Sequence, residues 1–361
     1  MSEKKSVGIL FGGRSVEHDI SIRSATNVFQ YIDKDKYQVT LFGIDRDGAW
    51  YLNKNPEIPI SQGEQLTLLL NQGNSTFMKL KNNQELGSID VFFPVLHGTD
   101  GEDGSIQGLF NTVNKPVVGS GVLGSSVSMN KLISKKLLIQ AGIPVADYIH
   151  CDFTHRQKIS FEETKNQLGL PFMVKPVMLG SSVGVSKVTD SQSFQTALEE
   201  GFRYDNQIIL EKYIMGREFE CAVMGNEKPQ ATVPGEILLN QDYDFYSFDA
   251  KYVDESAASI QIPAKVDADK VKTIQSLAIA SYQALACEDY SRVDLFLDRE
   301  GSIFINEINT IPGFTNISMF PKLWEYAGIS YPDLITKLIT YACERFDRKS
   351  RLSTHYETNL N

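Results

Sequence analysis

Residues 291–320 read SRVDLFLDREGSIFINEINTIPGFTNISMF, a segment in which polar and apolar residues alternate in two runs around the turn signal DREG. Alternation of this kind predicts a β-hairpin whose turn uses the glycine for a positive φ. If the last two residues of DREG form the turn, Asp294 pairs with Glu307. Arg292 then pairs with Asn309. Because residues two apart share a face of a strand, these four side chains are expected to lie together.

The predicted polar face combines two carboxylates, an amide oxygen and an arginine, which suits a hard cation. Mg²⁺ accepts oxygen ligands and is often shared with substrate phosphates. Without a cation, Asp294 and Glu307 would repel each other, and one of them would take up a proton. Arg292 can donate two hydrogen bonds at once to a phosphate or a carboxylate. The hairpin therefore predicts a magnesium site beside an anionic ligand, with a solvated hairpin face as the alternative.

The composition is that of a globular protein and argues against two classes of partner. A chain of 361 residues usually forms two or three domains. Its formal charge of −10 disfavours nucleic acid and anionic membranes as partners. The start, MSEKKSVGILFGG, has too short an apolar run for a signal peptide or a membrane span, so a cytoplasmic location is expected. The scattered cysteines form no CxxC pair and predict reduced thiols: Cys151, Cys221, Cys287 and Cys343.

The first region alternates strands with helices, which predicts a doubly wound α/β domain over residues 1–128. A strand at Ser6–Phe11 leads through two glycines into an amphipathic helix, and a buried strand at Ile89–Leu96 ends in His97. In such domains, ligands bind at the C-terminal ends of the strands. The chain contains neither GxGxxG after the first strand nor GxxxxGK[ST], so a Rossmann dinucleotide site and a P-loop are not predicted.

Two α+β regions follow, predicted over residues 129–217 and 218–346, with a polar tail at 347–361. The first of these carries the loop Gly180–Ser182, whose backbone N–H groups and hydroxyls could bind phosphate. The second carries an aromatic loop at 243–252 and then the hairpin. Taken singly, each feature also fits a structural role, such as a turn or a core plug. Their order along the chain is more informative.

Six segments, FGGRSVEHDIS, LHGTDGEDGSIQG, KPVMLGSSVGVSKV, FYSFDAKY, RVDLFL and NEINTIPGFTNIS, follow one another in this chain. The sequence from about residue 6 to residue 345 thereby resembles the D-alanine–D-alanine ligases, in which matching segments occur in the same order. Six segments in register are more specific than any one glycine loop. The resemblance implies the ATP-grasp fold, a two-part α+β structure that holds ATP between its halves, here following the N-terminal α/β domain.

The resemblance also implies a set of residues for each ligand. The ATP site would comprise Lys131, Lys175, Ser182, Glu211, Lys212, Ile214, Glu218 and Lys251. The metal site, for two Mg²⁺ or Mn²⁺ ions, would comprise Asp294, Glu307 and Asn309. The D-alanine sites would comprise Glu17, His97, Arg292, Gly313, Ser318 and Met319. The catalytic set would comprise Glu17, Ser181, Tyr252, Arg292, Gly313 and Ser318.

Within these sets, the resemblance assigns individual tasks. Glu17 would bind the ammonium group of the first D-alanine. Arg292 and the Gly313 N–H group would bind the oxyanion that develops during the reaction. Ser181 and Tyr252, together with Glu17, would hold the aromatic loop shut. The second D-alanine would place its carboxylate at the start of the helix that follows the hairpin.

The activity that the resemblance implies is the ATP-dependent, ADP-forming ligation of two D-alanines through a D-alanyl phosphate, for bacterial peptidoglycan precursors, by a homodimer. One alternative is a ligase that joins D-alanine to D-lactate or D-serine. Another is a noncatalytic ATP-binding module, which would be expected to lack part of the hairpin or of the Glu17 segment, and neither gap is seen. The loop from Asp242 to Tyr252 contains no histidine that would repel an ammonium group, which favours an amine acceptor.

Overall fold

The computed structural model describes residues 4–70, 76–240 and 257–353, and its first part is built on one mixed sheet. The strands of this sheet are β1 (Lys5–Gly12), β2 (Tyr37–Ile44), β3 (Trp50–Asn53), β4 (Glu64–Leu69), β5 (Thr76–Lys79), β6 (Gln84–Glu85) and β7 (Val91–Pro94). Their order is β6-β5-β4-β3-β2-β1-β7. β1 is parallel to β2 and β7, whereas β2 to β6 run antiparallel.

Helices cover the parallel part of this sheet and confirm the predicted α/β character. They are α1 (His18–Tyr31) and α2 (Ser105–Thr112). A further helix, α3 (Val122–Met129), packs mainly outside this sheet, and a 3₁₀ turn spans Ile60–Gln62. The antiparallel extension from β3 to β6 was not predicted, because its strands are short and only partly buried and carry little alternation. The apolar face of α1 packs on β1, as its helical spacing predicts.

The second part is a four-stranded antiparallel sheet with helices packed beside it. Its strands, β8 (Tyr148–Asp152), β9 (Phe172–Pro176), β10 (Ser186–Val188) and β11 (Gln207–Lys212), lie in the order β10-β9-β11-β8. Its helices are α4 (Lys131–Gln140), α5 (Phe161–Leu168) and α6 (Ser191–Tyr204), and a 3₁₀ helix spans Phe153–Lys158. Ser160 caps α5 by accepting a hydrogen bond from the Glu163 N–H group.

The third part contains the hairpin at the edge of a further antiparallel sheet. Its strands are β12 (Gly216–Met224), β13 (Gln230–Ala231), β14 (Gly235–Leu239), β15 (Ala258–Gln261), β16 (Tyr290–Asp298) and β17 (Ile303–Asn309). They lie in the order β15-β14-β12-β16-β17, with β13 beside β12. Pro234 lacks an N–H group and lies between β13 and β14, where the chain leaves the sheet.

Among the described residues, the third part also contains the helices α7 (Ala268–Ala284), α8 (Met319–Tyr326) and α9 (Tyr331–Ser350). α9 continues four residues beyond the predicted end at Phe346. One hydrophobic cluster joins α1 and β1 to α8 and α9, with Ala25, Val28, Phe314, Phe320 and Leu338 among its buried members. The first and third parts of the chain therefore share a core, and this core lies directly behind the loop that follows the hairpin.

Residues 292–294 pair with residues 307–309 as predicted, but the turn that produces this register differs from the predicted one. The Asp298 N–H group donates to the Ser302 carbonyl (3.0 Å), which closes a three-residue turn with Gly301 at φ 86°. The predicted two-residue turn is therefore wrong. A β-bulge then offsets the difference of one residue: Leu295 pairs with Ile305 whereas Asp294 pairs with Glu307, which leaves Asn306 as the extra residue.

Two further expectations concern the cysteines and the membrane. All four cysteines are free thiols; Cys151, Cys221 and Cys287 are buried and Cys343 is partly exposed, which agrees with the prediction of reduced side chains. Among the residues that the structure describes, no helix combines the length and the apolar character that crossing a bilayer requires.

Candidate active site

A cavity of about 810 Å³ opens between the first and third parts of the chain. It lies where β1 and β7 end and where the functional end of the β16–β17 hairpin begins, the edge at which α/β sheets bind ligands. Its wall includes residues predicted for both D-alanine sites and for the metal site: Glu17, His97, Arg292, Glu307, Asn309, Gly313 and Ser318. Residues that are far apart in the sequence thus meet in one chamber.

The predicted polar face of the hairpin is present and closely connected. Arg292 donates from Nε and Nη2 to the two carboxylate oxygens of Asp294, at 2.7 Å each. The Asn309 Nδ2 group donates to Asp294 Oδ2 (3.0 Å), and Lys131 Nζ lies 3.4 Å from Glu307 Oε2. The intervening apolar side chains face the opposite way, into the core. Each hairpin carboxylate is therefore close to a cation.

A third carboxylate, which sequence reasoning missed, belongs to the same group. Glu220 on β12 lies opposite Asp294 in the sheet, and its Oε2 atom is 3.1 Å from Arg292 Nε. Both acids are almost fully buried, so Arg292 lies between two desolvated negative charges. The alternation in β12 could have revealed this residue, because Glu220 follows Glu218 on the same face of the strand.

The hairpin residues fit a divalent metal ion. In the described part of the chain, no group of three or more His, Cys, Asp or Glu side chains is placed to hold a metal ion, so the candidate site combines two carboxylates with an amide oxygen. Asp294 and Glu307 face the same side of paired strands. Asn309 directs its Nδ2 group at Asp294, which leaves its Oδ1 atom as a ligand. Two carboxylates and one amide oxygen form a donor set that Mg²⁺ accepts when water and phosphate complete its coordination.

Two buried lysines hold a buried glutamate at the predicted nucleotide end of the site. Glu211 Oε1 lies 2.5 Å from Lys175 Nζ, and its Oε2 atom lies 2.6 Å from Lys135 Nζ. Lys175 also donates to Asn306 Oδ1 of the hairpin bulge (3.2 Å). Burial opposes ionisation of Glu211, but the two lysines outweigh it and hold its pKa at about 2. The glutamate therefore stays charged, and each of its carboxylate oxygens already contacts a lysine.

Lys135 is the second residue that sequence reasoning missed. Burial lowers the pKa of Lys135. Burial also opposes the charged form of Lys175, but the Glu211 carboxylate, followed by Glu307 and Glu218, outweighs it and raises the pKa of Lys175. The spacing of the two lysines could have indicated Lys135, since it lies four residues after Lys131 and therefore on the same face of α4. Three more residues predicted for the ATP site lie shortly after Glu211 in the chain. Lys212 is exposed, and Ile214 and Glu218 are half-buried.

This ion cluster gives a stability prediction. A Glu211→Gln change would leave two buried lysines without their carboxylate, and we expect the free energy of unfolding at pH 7 to fall by about 3–5 kcal/mol. The pKa of Glu211, about 2, lies below its ordinary value of 4.5. The wild-type protein therefore loses this contribution as the pH falls from 4.5 towards 2, and the difference between the two proteins should shrink there.

The measurement is urea unfolding of both proteins at pH 7 and at pH 3. The exposed Glu199→Gln change on α6 is the control and should leave the unfolding midpoint unchanged. Equal stability of Glu211→Gln and wild type at pH 7 would contradict the account of this cluster.

The glycine-serine loop closes the cavity against the first part of the chain. Ser181 and Ser182 both have left-handed backbone angles, with φ 52° and 59°, which non-glycine residues seldom adopt outside functional sites. The Ser181 hydroxyl donates to Glu17 Oε1. Lys131 Nζ donates to the Leu179 carbonyl (2.5 Å) and so anchors the same loop. The predicted contact between Ser181 and Glu17 is present, while Tyr252 and Lys251 lie outside the described residues.

The predicted second D-alanine site lies at a helix N-terminus. Ser318 immediately precedes α8, and Met319 is its first residue. Backbone N–H groups at the start of a helix attract carboxylates. The Ser318 hydroxyl accepts a hydrogen bond from the Thr315 N–H group (3.0 Å). A Cβ atom at Gly313 would lie only 2.7 Å from Ser318 Oγ, so glycine at this position keeps the hydroxyl in place.

His97 lines the cavity, but both of its ring nitrogens already have protein partners. Nδ1 lies 2.8 Å from the Ile311 carbonyl oxygen and Nε2 lies 2.9 Å from Ser24 Oγ. Burial lowers the pKa of His97 to about 4, so the ring is neutral at physiological pH. Donation to a carbonyl places the proton on Nδ1. Both ring nitrogens are thus engaged by the protein in this arrangement, so the predicted place of His97 in a D-alanine site is supported by its position in the cavity wall alone.

Glu102 is a third residue that sequence reasoning did not single out for a task. It lines the cavity, and its carboxyl oxygens accept hydrogen bonds from the N–H groups of Gly98 (2.9 Å) and Ile311 (2.8 Å). Burial, and then the nearby Glu17 carboxylate, raise the pKa of Glu102 to about 8. The Glu102 carboxyl is therefore mostly protonated at neutral pH.

A hairpin carboxylate and a glycine-serine loop line one chamber, and buried lysines lie beside the hairpin bulge; this combination is typical of the ATP-grasp class. The family model described as "D-ala D-ala ligase N-terminus" matches residues 6–120, and the model "D-ala D-ala ligase C-terminus" matches residues 137–340. The D-alanine–D-alanine ligase of Shouchella clausii is 48% identical over 97% of this chain and 98% of its own. The chain therefore belongs to the D-alanine–D-alanine ligase family, which implies ATP and divalent metal ions as cofactors.

Solved structures support the same assignment. The D-alanine–D-alanine ligase from Coxiella burnetii superposes with a TM-score of 0.83 and 35% identity, covering 96% of this chain and 98% of that chain. The VanG D-Ala:D-Ser ligase from Enterococcus faecalis superposes with a TM-score of 0.83 and 34% identity, covering 94% of this chain and 100% of that chain. The fold is therefore shared by ligases with different acceptors.

Proposed function

We propose that this protein joins two D-alanines into D-alanyl-D-alanine at the expense of ATP, as a step in the synthesis of bacterial peptidoglycan precursors. The observation that carries the proposal is the shared chamber. It brings Glu17, Arg292 with Gly313, and Ser318 at the start of α8 into one wall beside the hairpin carboxylates. Glu17 can bind an ammonium group, Arg292 and Gly313 can bind a reacting carbonyl, and Ser318 can bind a second carboxylate.

The first step makes the carboxylate of the first D-alanine reactive. Its ammonium group binds Glu17, which is buried and held by Ser181, and its carboxylate faces the phosphates. A carboxylate oxygen attacks the γ-phosphorus of ATP, the bond to the β-phosphate oxygen breaks, and ADP leaves. Lys131 and Lys175 offset negative charge on the phosphates. The product is a D-alanyl phosphate, which water would hydrolyse if it entered the chamber.

The second step forms the peptide bond. The neutral amine of the second D-alanine attacks the acyl carbon, and the carbonyl oxygen becomes an oxyanion. The bond from carbon to the phosphate oxygen then breaks, phosphate leaves with the bonding electron pair, and the nitrogen gives up one proton, which the departing phosphate can accept. Arg292 and the Gly313 N–H group are placed to bind this oxyanion, and one such donor is worth about 3–4 kcal/mol. The second D-alanine is held by its carboxylate at Ser318 and the start of α8. Tyr252 and Lys251 are proposed to close the chamber.

The metal is proposed to be two Mg²⁺ or Mn²⁺ ions held by Asp294, Glu307 and Asn309. Such ions neutralise charge on transferring phosphoryl groups. Arg292 and Lys131 supply part of the same positive charge, because they already lie against the hairpin carboxylates. The buried Glu220 balances Arg292 from the other side and holds its guanidinium in the wall of the cavity.

The alternative acceptor D-serine is the closest rival, because the VanG D-Ala:D-Ser ligase has the same fold. Near Met319, the described wall of the cavity also contains the apolar side chains of Ile237 and Ile260. A methyl group fits such a wall, whereas a hydroxyl group buried without a partner costs about 1–3 kcal/mol. This wall favours D-alanine as the acceptor.

We further propose the domain division 1–128, 129–217 and 218–346 with a tail at 347–361, a cytoplasmic location and a homodimer. The division is supported by the three sheets, each of which falls within one segment apart from the first two residues of β12. The location and the dimer rest on the family resemblance. Light scattering of the purified protein would distinguish a dimer from a monomer.

Coupling between the two substrates provides the first test. With Mg·ATP alone, we expect slow phosphate release, because no acceptor for the γ-phosphoryl group is bound. D-alanine should raise the rate strongly, whereas L-alanine should not, because with its ammonium group at Glu17 and its carboxylate at the phosphate its methyl group would point to the side where D-alanine has a hydrogen. Rapid ATP hydrolysis without an amino acid, or equal rates with L-alanine, would contradict the proposed function.

A further inference from the structure

Four side chains from the first part of the chain hold the loop that follows the hairpin. They contact the backbone on both sides of Pro312-Gly313, and we call them the loop clamp: Ser24, Asn27, His97 and Glu102. Each lies more than 200 residues from its partner in the sequence. The contacts therefore result from the tertiary fold and not from a local turn.

On the N-terminal side of Gly313, the clamp binds both polar backbone groups of Ile311. The Ile311 N–H group donates to Glu102 Oε1 (2.8 Å), and the Ile311 carbonyl accepts from His97 Nδ1 (2.8 Å). Ile311 itself is buried. Pro312 has no N–H group and a fixed φ, so little freedom remains between this anchor and Gly313.

On the C-terminal side, the clamp binds both polar backbone groups of Phe314. Its N–H group donates to Ser24 Oγ (3.2 Å), and its carbonyl accepts from Asn27 Nδ2 (3.3 Å). The Phe314 ring is fully buried and packs against Phe93 and Tyr290. Gly313 is thus enclosed between two residues whose backbone and side chains are both fixed.

Ser24 connects the two sides. Its hydroxyl donates to His97 Nε2 (2.9 Å) and accepts from the Phe314 N–H group. His97 in turn donates from Nδ1 to Ile311. The hydrogen bonds therefore run in one consistent direction from Phe314 through Ser24 and His97 to Ile311, and they require a neutral ring.

We propose that the loop clamp positions the Gly313 N–H group for the oxyanion, so that the first part of the chain sets the geometry of a donor that belongs to the third part. The proposal rests on the proposed function, because it presupposes an oxyanion at Gly313. The four residues are positioning residues: they act on the reaction through the loop. A misplacement of about 1 Å in such a donor can lower the rate about 100-fold.

Serine-to-alanine changes on α1 give a matched comparison. Ser21 and Ser24 are both fully buried on the same helix, and each makes two hydrogen bonds. Ser21 contacts the Val95 carbonyl and the Gly12 N–H group, and it does not belong to the clamp. Loss of stability should therefore be similar in Ser24→Ala and Ser21→Ala, whereas loss of oxyanion geometry should occur only in Ser24→Ala.

The experiment measures kcat, KM for ATP, and the affinity of each protein for ADP and for a phosphinate dipeptide that mimics the tetrahedral intermediate. For Ser24→Ala we expect kcat and phosphinate affinity to fall together by about 10- to 100-fold, with ADP affinity and KM for ATP within about twofold of wild type. For Ser21→Ala we expect all four quantities to stay near wild type.

Asn27 is half-buried, so Asn27→Ala provides a second variant that should fold. Like Ser24→Ala, it should lower both kcat and phosphinate affinity. His97→Asn retains an amide donor for the Ile311 carbonyl and should keep more activity than His97→Ala. If kcat and phosphinate affinity are unchanged in Ser24→Ala and Asn27→Ala, or fall equally in Ser21→Ala, the clamp proposal is overturned. A wild-type protein that forms no dipeptide would instead overturn the proposed function.

Discussion

Replacing Asp294 with Asn, or Glu307 with Gln, is expected to lower the rate of ADP formation with D-alanine by about 1,000-fold, because a misplaced metal forfeits several kcal/mol of charge stabilisation. Each change removes a negative charge from the hairpin face while keeping the size of the side chain. Arg292 and Lys131 would then lack part of their counter-charge, but the apolar side of the hairpin would stay in the core. The fold should therefore survive in both variants.

The measurement combines turnover with Mn²⁺ binding followed by electron paramagnetic resonance, so that metal affinity is read independently of activity. Glu300→Gln is the matched control, since Glu300 is an exposed acid in the turn of the same hairpin. The control should bind Mn²⁺ and turn over like wild type. Near-normal turnover in either Asp294→Asn or Glu307→Gln would remove the basis for placing the metal here.

Arg292→Lys is expected to have the next largest effect, a fall in kcat of about 100- to 1,000-fold. Lysine keeps the positive charge, but its ammonium group cannot donate two parallel hydrogen bonds to Asp294 while it also faces Glu220. The two buried carboxylates would draw the ammonium group towards themselves and away from the cavity. The oxyanion would therefore lose a donor even though the net charge is unchanged.

Arg217→Lys provides the control for this change. Arg217 also donates from Nε and Nη2 to one carboxylate, that of Glu236, but towards the turn of the hairpin, and it does not line the cavity. We expect its kcat to stay within about twofold of wild type. Equal kcat in Arg292→Lys and wild type would show that the guanidinium fork is not needed at the reacting centre.

Much of the hairpin could be predicted from the sequence, because its determinants are local. Alternation fixed which residues share a face, and the pairing of Asp294 with Glu307 was correct. The predicted turn length was wrong. A three-residue turn with a bulge at Asn306 produces the same pairing as a two-residue turn without a bulge. Alternation alone cannot distinguish these two combinations, since both return the polar residues to one face.

The contacts between distant segments could not be predicted in the same way. The pairing of Lys135 with Glu211 depends on how α4 packs against β11, and that of Glu220 with Arg292 depends on the register of β12 with β16. The loop clamp likewise depends on the core that joins α1 to α8 and α9. The family resemblance predicted residues for each ligand, but it did not predict the neighbouring residues that hold those side chains in place.

The central claim, that the chamber joins two D-alanines, is tested most directly by product analysis. The purified protein would be incubated at neutral pH with Mg·ATP and equal concentrations of D-alanine, D-serine and D-lactate, and the products would be resolved by mass spectrometry. The account predicts D-alanyl-D-alanine as the main product, with a yield that rises towards pH 8–9 as more of the acceptor amine loses its proton. A mixture dominated by D-alanyl-D-serine, or by the ester with D-lactate, would contradict it.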